Sequence, residues 1–390
     1  MIKRKLQNEL QILITEYPVV TILGPRQAGK TTLAKESLKN YEYSNLEEPS
    51  VRSFATSDPK AYLDQFKKNV IIDEIQRVPE LLSYIQVIVD EKKINGQFVL
   101  TGSHQLKLQE AVSQSLAGRT AILNLLPLSI QELNDVKISF DSFEEYCLNG
   151  FLPRIYDQNS RSSVVYSNYY QTYVERDVKL LINIKDLSLF EKFMKLLAGR
   201  AGRIMDFRSF SNDIGVDAKT IKNWLSILEA SFIVFKLPPY FENFGKRVIK
   251  SPKYYFSDVG LLCFLLGIEN KNQVSRDPLV GNIFENLVVV ELLKERFNRG
   301  KTSNLYFFRD SNGVEVDIIL QNGRSLIPIE IKSSSTFHTK FVNNIKKIQS
   351  LSDSFEQGKI IYTGDFLPSS KEYQVINFKN ISALFKSEIS

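Results

Sequence analysis

The chain has 390 residues, enough for two or three domains that each bury a core of their own. Its 43% hydrophobic and 24% charged fractions are those of an ordinary globular protein, and a net charge of +6 permits an acidic partner without requiring one. Two cysteines, Cys147 and Cys263, and two histidines, His104 and His338, exclude a disulfide framework and argue against a zinc centre.

At the N-terminus, Met1-Ile2-Lys3-Arg4-Lys5 leads into amphipathic spacing at Leu6, Leu10 and Leu13, which reads as a helix and not as an apolar signal core. The longest near-apolar run, residues 259–268, is about half the length that spans a bilayer. The expectation is a soluble, cytoplasmic protein with no membrane partner.

Val19-Val20-Thr21-Ile22-Leu23 reads as a short apolar strand running into Gly24-Pro25-Arg26-Gln27-Ala28-Gly29-Lys30-Thr31-Thr32. The pattern is G-x-x-x-x-G-K-T, with a helix beginning at the lysine, and each residue type suits a nucleoside triphosphate. The two glycines let consecutive N–H groups turn inward on phosphate oxygens, and the helix N-terminus adds positive potential there. Lys30 is expected to reach the β- and γ-phosphates, and the Thr31 hydroxyl to ligate Mg²⁺.

Residues 41–46 read as a second strand. Residues 69–74 form an apolar run suited to a strand buried on both faces, closed by the carboxylates of Asp73 and Glu74. In a parallel sheet both would lie at the C-terminal edge, where ligands of open α/β sheets bind. Asp73 is placed to hold the Mg²⁺ shell and Glu74 to activate the attacking water. Residues 79–89 read as a helix and Phe98-Val99-Leu100-Thr101-Gly102-Ser103 as a third buried strand. Ser103 either senses the γ-phosphate or caps the next helix. Arg119, in Ala117-Gly118-Arg119-Thr120 before a strand at 121–125, is either a surface residue or an arginine finger acting in cis or from a neighbouring subunit.

Taken together, residues 24–31, Asp73-Glu74-Ile75-Gln76, Leu100-Thr101-Gly102-Ser103 and Leu116-Ala117-Gly118-Arg119 resemble the AAA-type ATPases of bacteria and archaea. In that family the ATPase is fused to a C-terminal domain of nuclease-like fold. The resemblance extends over the whole chain and implies an AAA-like parallel sheet, ATP as the nucleotide and homo-oligomer formation.

Residues 151–203 read as helices, with Leu187, Phe190, Met194 and Leu197 on one face, ended by the break Gly199-Arg200-Ala201-Gly202-Arg203. A helix-turn-helix pattern follows. Phe207, Phe210 and Ile214 space one helix, which Gly215 ends; Asp217 caps a second, with Ile221, Leu225 and Leu228 inward and Lys219, Lys222 and Asn223 outward. Segments 231–237 and 248–256 can pair as the wing of a winged helix, carrying Lys246, Arg247, Lys250 and Lys253. Such a domain either binds DNA, with its cations on phosphate, or packs between domains.

The last third opens with a helix from Gly281 to about Phe297, followed by strands at 304–308, 313–320 and 325–332. If Asn322-Gly323 is a two-residue loop, Gln321 pairs with Arg324, and Glu330 lies opposite Glu315 and diagonal to Asp317. Glu315, Asp317, Glu330 and Lys332 then share one face. Crowded carboxylates repel unless something positive sits among them, and Mg²⁺ or Mn²⁺ fits that oxygen-rich setting. The order Glu285, Asp317, Glu330-Ile331-Lys332 resembles the PD-(D/E)XK nuclease superfamily. That resemblance implies Asp317, Glu330 and Glu285 as metal ligands and Lys332 as a catalytic cation; Val316 stands where the motif has proline. A helix at 337–348, strands at 358–362 and 373–378 and a short terminal helix complete the expected domain.

The expected architecture is α/β: an AAA-type ATPase at 1–150, a helical linker and winged helix at 151–260, and a restriction-endonuclease-like domain at 261–390. ATP hydrolysis coupled to nucleic-acid binding or processing is the leading function. The rivals are an ATP-driven switch on a protein partner, with an inert C-terminal docking domain, and a scaffold that turns over slowly.

Overall fold

A computed structural model describes residues 2–103, 115–178, 187–241, 250–311 and 313–389. His104 and the expected wing cations Lys246 and Arg247 lie outside them. The chain forms two compact units. The first comprises Met1–Leu128, Ala230–Phe232 and Arg296–Lys301, and the second Ser129–Glu229, Ile233–Glu295 and Thr302–Ser390. Residues 129–150, expected with the ATPase, pack in the second unit. Ser129 opens helix Ile130–Asp135 with a reciprocal capping box, and the Ile130 N–H donates to the buried Glu291 carboxylate at 2.8 Å.

The first unit holds strands β1 (Val19–Gly24), β2 (Glu42–Asn45), β3 (Val70–Asp73), β4 (Phe98–Ser103) and β5 (Thr120–Asn124). They lie in the order β2-β3-β4-β1-β5, and every pair is parallel. All residues of β1, β3 and β4 are buried, which is why their sequences are apolar without alternation. One face packs on Leu81, Leu82, Ile85 and Val89 of helix Leu81–Lys92. The other packs on Leu10 of helix Gln7–Glu16 and on Leu33 and Ala34 of helix Lys30–Ser37. Because all strands point one way, Gly24, Asp73 and Ser103 end at a common edge, Gly24 directly beside Ser103.

In the second unit, helix Phe207–Ile214 is capped by Asp206 and ends at Gly215 with φ of 92°, a left-handed turn that suits glycine. Helix Ala218–Ala230 follows, its first turn held by Asp217 through the Thr220 N–H at 2.9 Å. Phe210, Ile214, Ile221, Leu225 and Leu228 are buried, as their spacing predicts. Two short antiparallel strands, β6 (Val234–Leu237) and β7 (Lys253–Phe256), come next.

The remaining strands are β8 (Leu305–Arg309), β9 (Glu315–Asn322), β10 (Ser325–Lys332), β11 (Gly358–Tyr362) and β12 (Tyr373–Asn377), ordered β12-β11-β10-β9-β8. The β8-β9-β10 pairs are antiparallel, and the β10-β11-β12 pairs parallel. The β9–β10 turn corrects the expected register. Ser325 pairs with Asn322, so the loop is Gly323-Arg324. Only Gly323 of the two has positive φ, at 60°, as a type II′ turn requires, whereas an Asn-Gly loop of type I′ needs two left-handed residues. Moving the loop by one residue slides the pairing by two, so the same side chains keep the same face. Glu330 becomes level with Asp317 instead of Glu315.

Candidate functional site

The edge of the first sheet gathers the nucleotide-site residues. Gln27 and Gly29 are both left-handed, with φ of 63° and 90°, and Gly29 is the N-cap of the helix that starts at Lys30. A side chain at Gly24 would bring a Cβ within 2.0 Å of the Leu125 carbonyl oxygen, so this glycine lets β1 pass the chain leaving β5. Lys30 is 5% exposed, and its Nζ donates to the Gly24 and Pro25 carbonyls at 3.0 and 2.9 Å. Burial lowers its pKa, against the pull of Glu74 and Asp73. Arg26 approaches Glu47 at 3.7 Å on the half-exposed rim, Ala28 is buried and Thr32 is exposed.

Asp73 collects hydroxyl donors. Thr31 Oγ1 lies 3.0 and 2.9 Å from its two oxygens, Tyr43 donates at 3.0 Å, and Thr101 donates to Oδ1. Glu74 sits at φ of 58°, a strained position for a residue with a Cβ. Its carboxylate accepts from the Gln76 amide and from Ser103 Oγ at 3.2 Å, while Gln76 also donates to Ser103 at 2.8 Å. Gln76 Oε1 is buried without a partner among the described residues. Ser103 therefore faces Glu74; the helix it was alternatively expected to cap lies outside the described residues.

Sequence reasoning missed four residues here. Arg4, 7% exposed, donates to the Ala28 carbonyl at 2.6 Å and the Leu126 carbonyl at 2.7 Å, clamping the P-loop from the N-terminus. Nothing in the run Lys3-Arg4-Lys5 marks the middle cation as buried. Tyr43, Gln76 and Thr101 bind Asp73 or Glu74, and the latter two fall inside the motif segments already singled out.

The donor set fits Mg²⁺-ATP. Thr31 and Asp73 offer hydroxyl and carboxylate oxygen alone, the hard ligands Mg²⁺ prefers, beside a lysine and a helix N-terminus. Arg119 does not join them. It lies at the opposite end of the sheet, where its carbonyl accepts from the Val19 N–H, roughly 17 Å of strand from the P-loop. Its guanidinium holds Asp90 at 2.5 and 2.9 Å, which raises the Arg119 pKa. This placement sets Arg119 apart from the nucleotide site of its own chain.

The second unit brings Glu285, Asp317, Glu330 and Lys332 near one another. Lys332 Nζ bridges Asp317 at 3.3 Å and Glu330 at 2.5 Å, and the Ile331 N–H donates to Asp317 at 2.8 Å. Glu330 is 2% exposed, and burial, then the Asp317 charge, push its pKa up to about 8. Its Oε1 is buried outside hydrogen-bond geometry, with Asn344 facing the carboxylate. Glu285, from helix Val280–Phe297, accepts from Tyr255 at 2.5 Å and Lys253 at 3.3 Å. Of the expected metal ligands, Glu285 is paired with Lys253, and Asp317 and Glu330 with Lys332, so lysines stand between the carboxylates, and among the described residues no group of three such ligands is gathered around one point. Lys253, expected on an exposed wing, is 2% exposed and held in that network, so it is not free to meet phosphate.

Residues 16–134 match the AAA domain family. The first unit is an AAA-type P-loop ATPase domain. Residues 140–272 and 280–381 match two domains of unknown function (DUF8612 and DUF4143). The chain is 29% identical over 337 residues to an uncharacterized protein of Mycobacterium tuberculosis, covering 86% of this chain and 74% of the relative. An uncharacterized protein of Methanocaldococcus jannaschii is 25% identical over 429 residues, covering 93% and 85%. Among solved structures, the Walker-type ATPase of Pyrococcus abyssi is similar at 12% identity and a TM-score of 0.41, over 67% of this chain and 94% of that one. AMPPCP-bound DnaA from Aquifex aeolicus follows at 13% identity and 0.30, over 57% and 85%. No described helix is long and apolar enough to cross a membrane.

Proposed function

We propose that the chain is a Mg²⁺-dependent, ATP-hydrolysing protein whose cycle is coupled to nucleic acid bound by the second unit. The observation that carries the ATPase reading is the convergence of Lys30, Thr31, Asp73 and Glu74 on one sheet edge. The backbone from Gly24 to Thr32 would wrap the phosphates, Lys30 would leave its two carbonyls for β- and γ-phosphate oxygens, and Thr31 and Asp73 would hold Mg²⁺. Bound Mg²⁺ would neutralise charge on the triphosphate. Glu74 would orient and deprotonate water, with Ser103 and Gln76 fixing its carboxylate. Arg119 would serve only the site of a neighbouring copy, in a homo-oligomer.

Support for nucleic acid comes from Lys219, Lys222 and Asn223, exposed together on helix Ala218–Ala230 after a capped helix and turn, as in a winged helix. The mixed sheet, with Glu285, Asp317, Glu330 and Lys332 on a helix and two adjacent strands, supports a restriction-endonuclease-like reading of the C-terminal part. In that cluster Lys253 pairs with Glu285, and Lys332 with Asp317 and Glu330. That same neutralised cluster favours a second reading, an ATP-driven switch on a protein partner with a docking C-terminal region. ATPase assays of the purified chain with and without duplex DNA separate the two: stimulation supports nucleic-acid coupling, and a DNA-indifferent rate supports the switch.

A further inference from the structure

Four carboxylates and three cations meet between β7, helix Val280–Phe297, β8, β9 and β10. Lys253 Nζ stands 3.3 Å from Glu285 and 2.9 Å from Glu315, with its side chain only 3% exposed. Arg309 pairs with the outer side of Glu315 at 3.1 Å, and Lys332 spans Asp317 and Glu330. Burying an ammonium so deeply is costly unless carboxylates surround it, and these carboxylates are equally costly without it. Burial lowers the Lys253 pKa, but Glu285, Asp317 and Glu315 outweigh it and leave the lysine firmly charged.

We propose that Lys253, brought in from β7, is the resident cation of this cluster: with Lys332 it supplies the positive charge that a divalent ion would otherwise supply, so the second unit neither needs nor retains a metal there. A divalent ion placed among Glu285, Asp317 and Glu330 would sit within a few ångströms of two ammonium groups and be repelled by both. The lysine also has a mechanical consequence. It ties the β6–β7 hairpin to helix Val280–Phe297 and to β9, joining segments that are distant in sequence. The inference stands apart from the ATPase reading, since no residue of the first unit takes part in it.

Binding of Mn²⁺ to the nucleotide-free full chain tests it, followed by the paramagnetic resonance signal of the free ion in the Asp73→Asn background, so that the P-loop contributes no site. The chain with Lys253 intact should leave Mn²⁺ free through the millimolar range, and Lys253→Arg should do the same. Lys253→Met should gain a single Mn²⁺ per chain and lose it again when Glu285→Gln is added. Should Lys253→Met not fold, Lys253→Gln carries the same test. Tight Mn²⁺ binding with Lys253 intact, abolished by Asp317→Asn, would overturn the proposal. So would a folded Lys253→Met or Lys253→Gln chain that still binds none.

Discussion

Lys30 rests on two neutral carbonyls of its own loop, and a triphosphate would offer it formal negative charge instead. Lys30→Ala should therefore weaken ATP binding by roughly 100-fold or more while the fold persists, as titration with a fluorescent ATP analogue and circular dichroism would show. Glu74 has a different job. Glu74→Gln should keep ATP affinity and slow phosphate release by roughly 100-fold or more, and a variant with full turnover would reassign the base. In the second unit, Glu330 is held above its ordinary pKa mainly by burial, so the fold favours its protonated form. The stability it contributes is complete below about pH 4.5, declines as pH rises and is gone above about pH 8. Glu330→Gln should flatten that dependence in denaturant titrations run across the window; an unchanged slope would place the proton elsewhere. The motif residues of the nucleotide site were legible because phosphate chemistry fixes their spacing. Arg4 was not, because burial of a cation among carbonyls leaves no mark in a basic N-terminal run.

Strands with unbroken apolar runs, such as β1, β3 and β4, could be read to within a residue, since a strand buried on both faces tolerates little else. The β9–β10 hairpin was readable in its faces but not in its register. Asn-Gly and Gly-Arg loops compete locally, and the choice between them lies in backbone twist, which composition does not display. Gly323 has open space where a Cβ would stand, so Gly323→Ala should cost only the left-handed backbone penalty, about 1 kcal/mol in chemical denaturation. The fate of Lys253 shows the limit of a linear charge pattern. Its neighbours in sequence suggest an exposed wing, and only the fold reveals Glu285 and Glu315 around it. The cations exposed on helix Ala218–Ala230, Lys219 and Lys222, carry the nucleic-acid reading. Lys219→Glu with Lys222→Glu should reduce duplex-DNA affinity by roughly 10- to 100-fold and lower the salt dependence by about two charges. An unchanged affinity would move the contact to another surface.

At the scale of the whole molecule, the chain forms two compact units, the second of which takes in the expected middle and C-terminal parts. Helical and β-rich stretches differ enough in pattern to suggest a boundary between them, yet buried polar ties such as Ile130 to Glu291 and Lys253 to Glu285 join them into one unit. The nucleotide site belongs wholly to the first unit and the carboxylate cluster wholly to the second, so each should respond to its own substitutions. The most direct measurement of the account is steady-state phosphate release by the purified chain with Mg²⁺ and ATP, with and without duplex DNA. Turnover should need Mg²⁺, fall to background in Lys30→Ala and Glu74→Gln, rise with DNA and survive Lys253→Arg unchanged, as a DNA-coupled P-loop ATPase requires. Equal phosphate release by the unaltered chain and Lys30→Ala would contradict it.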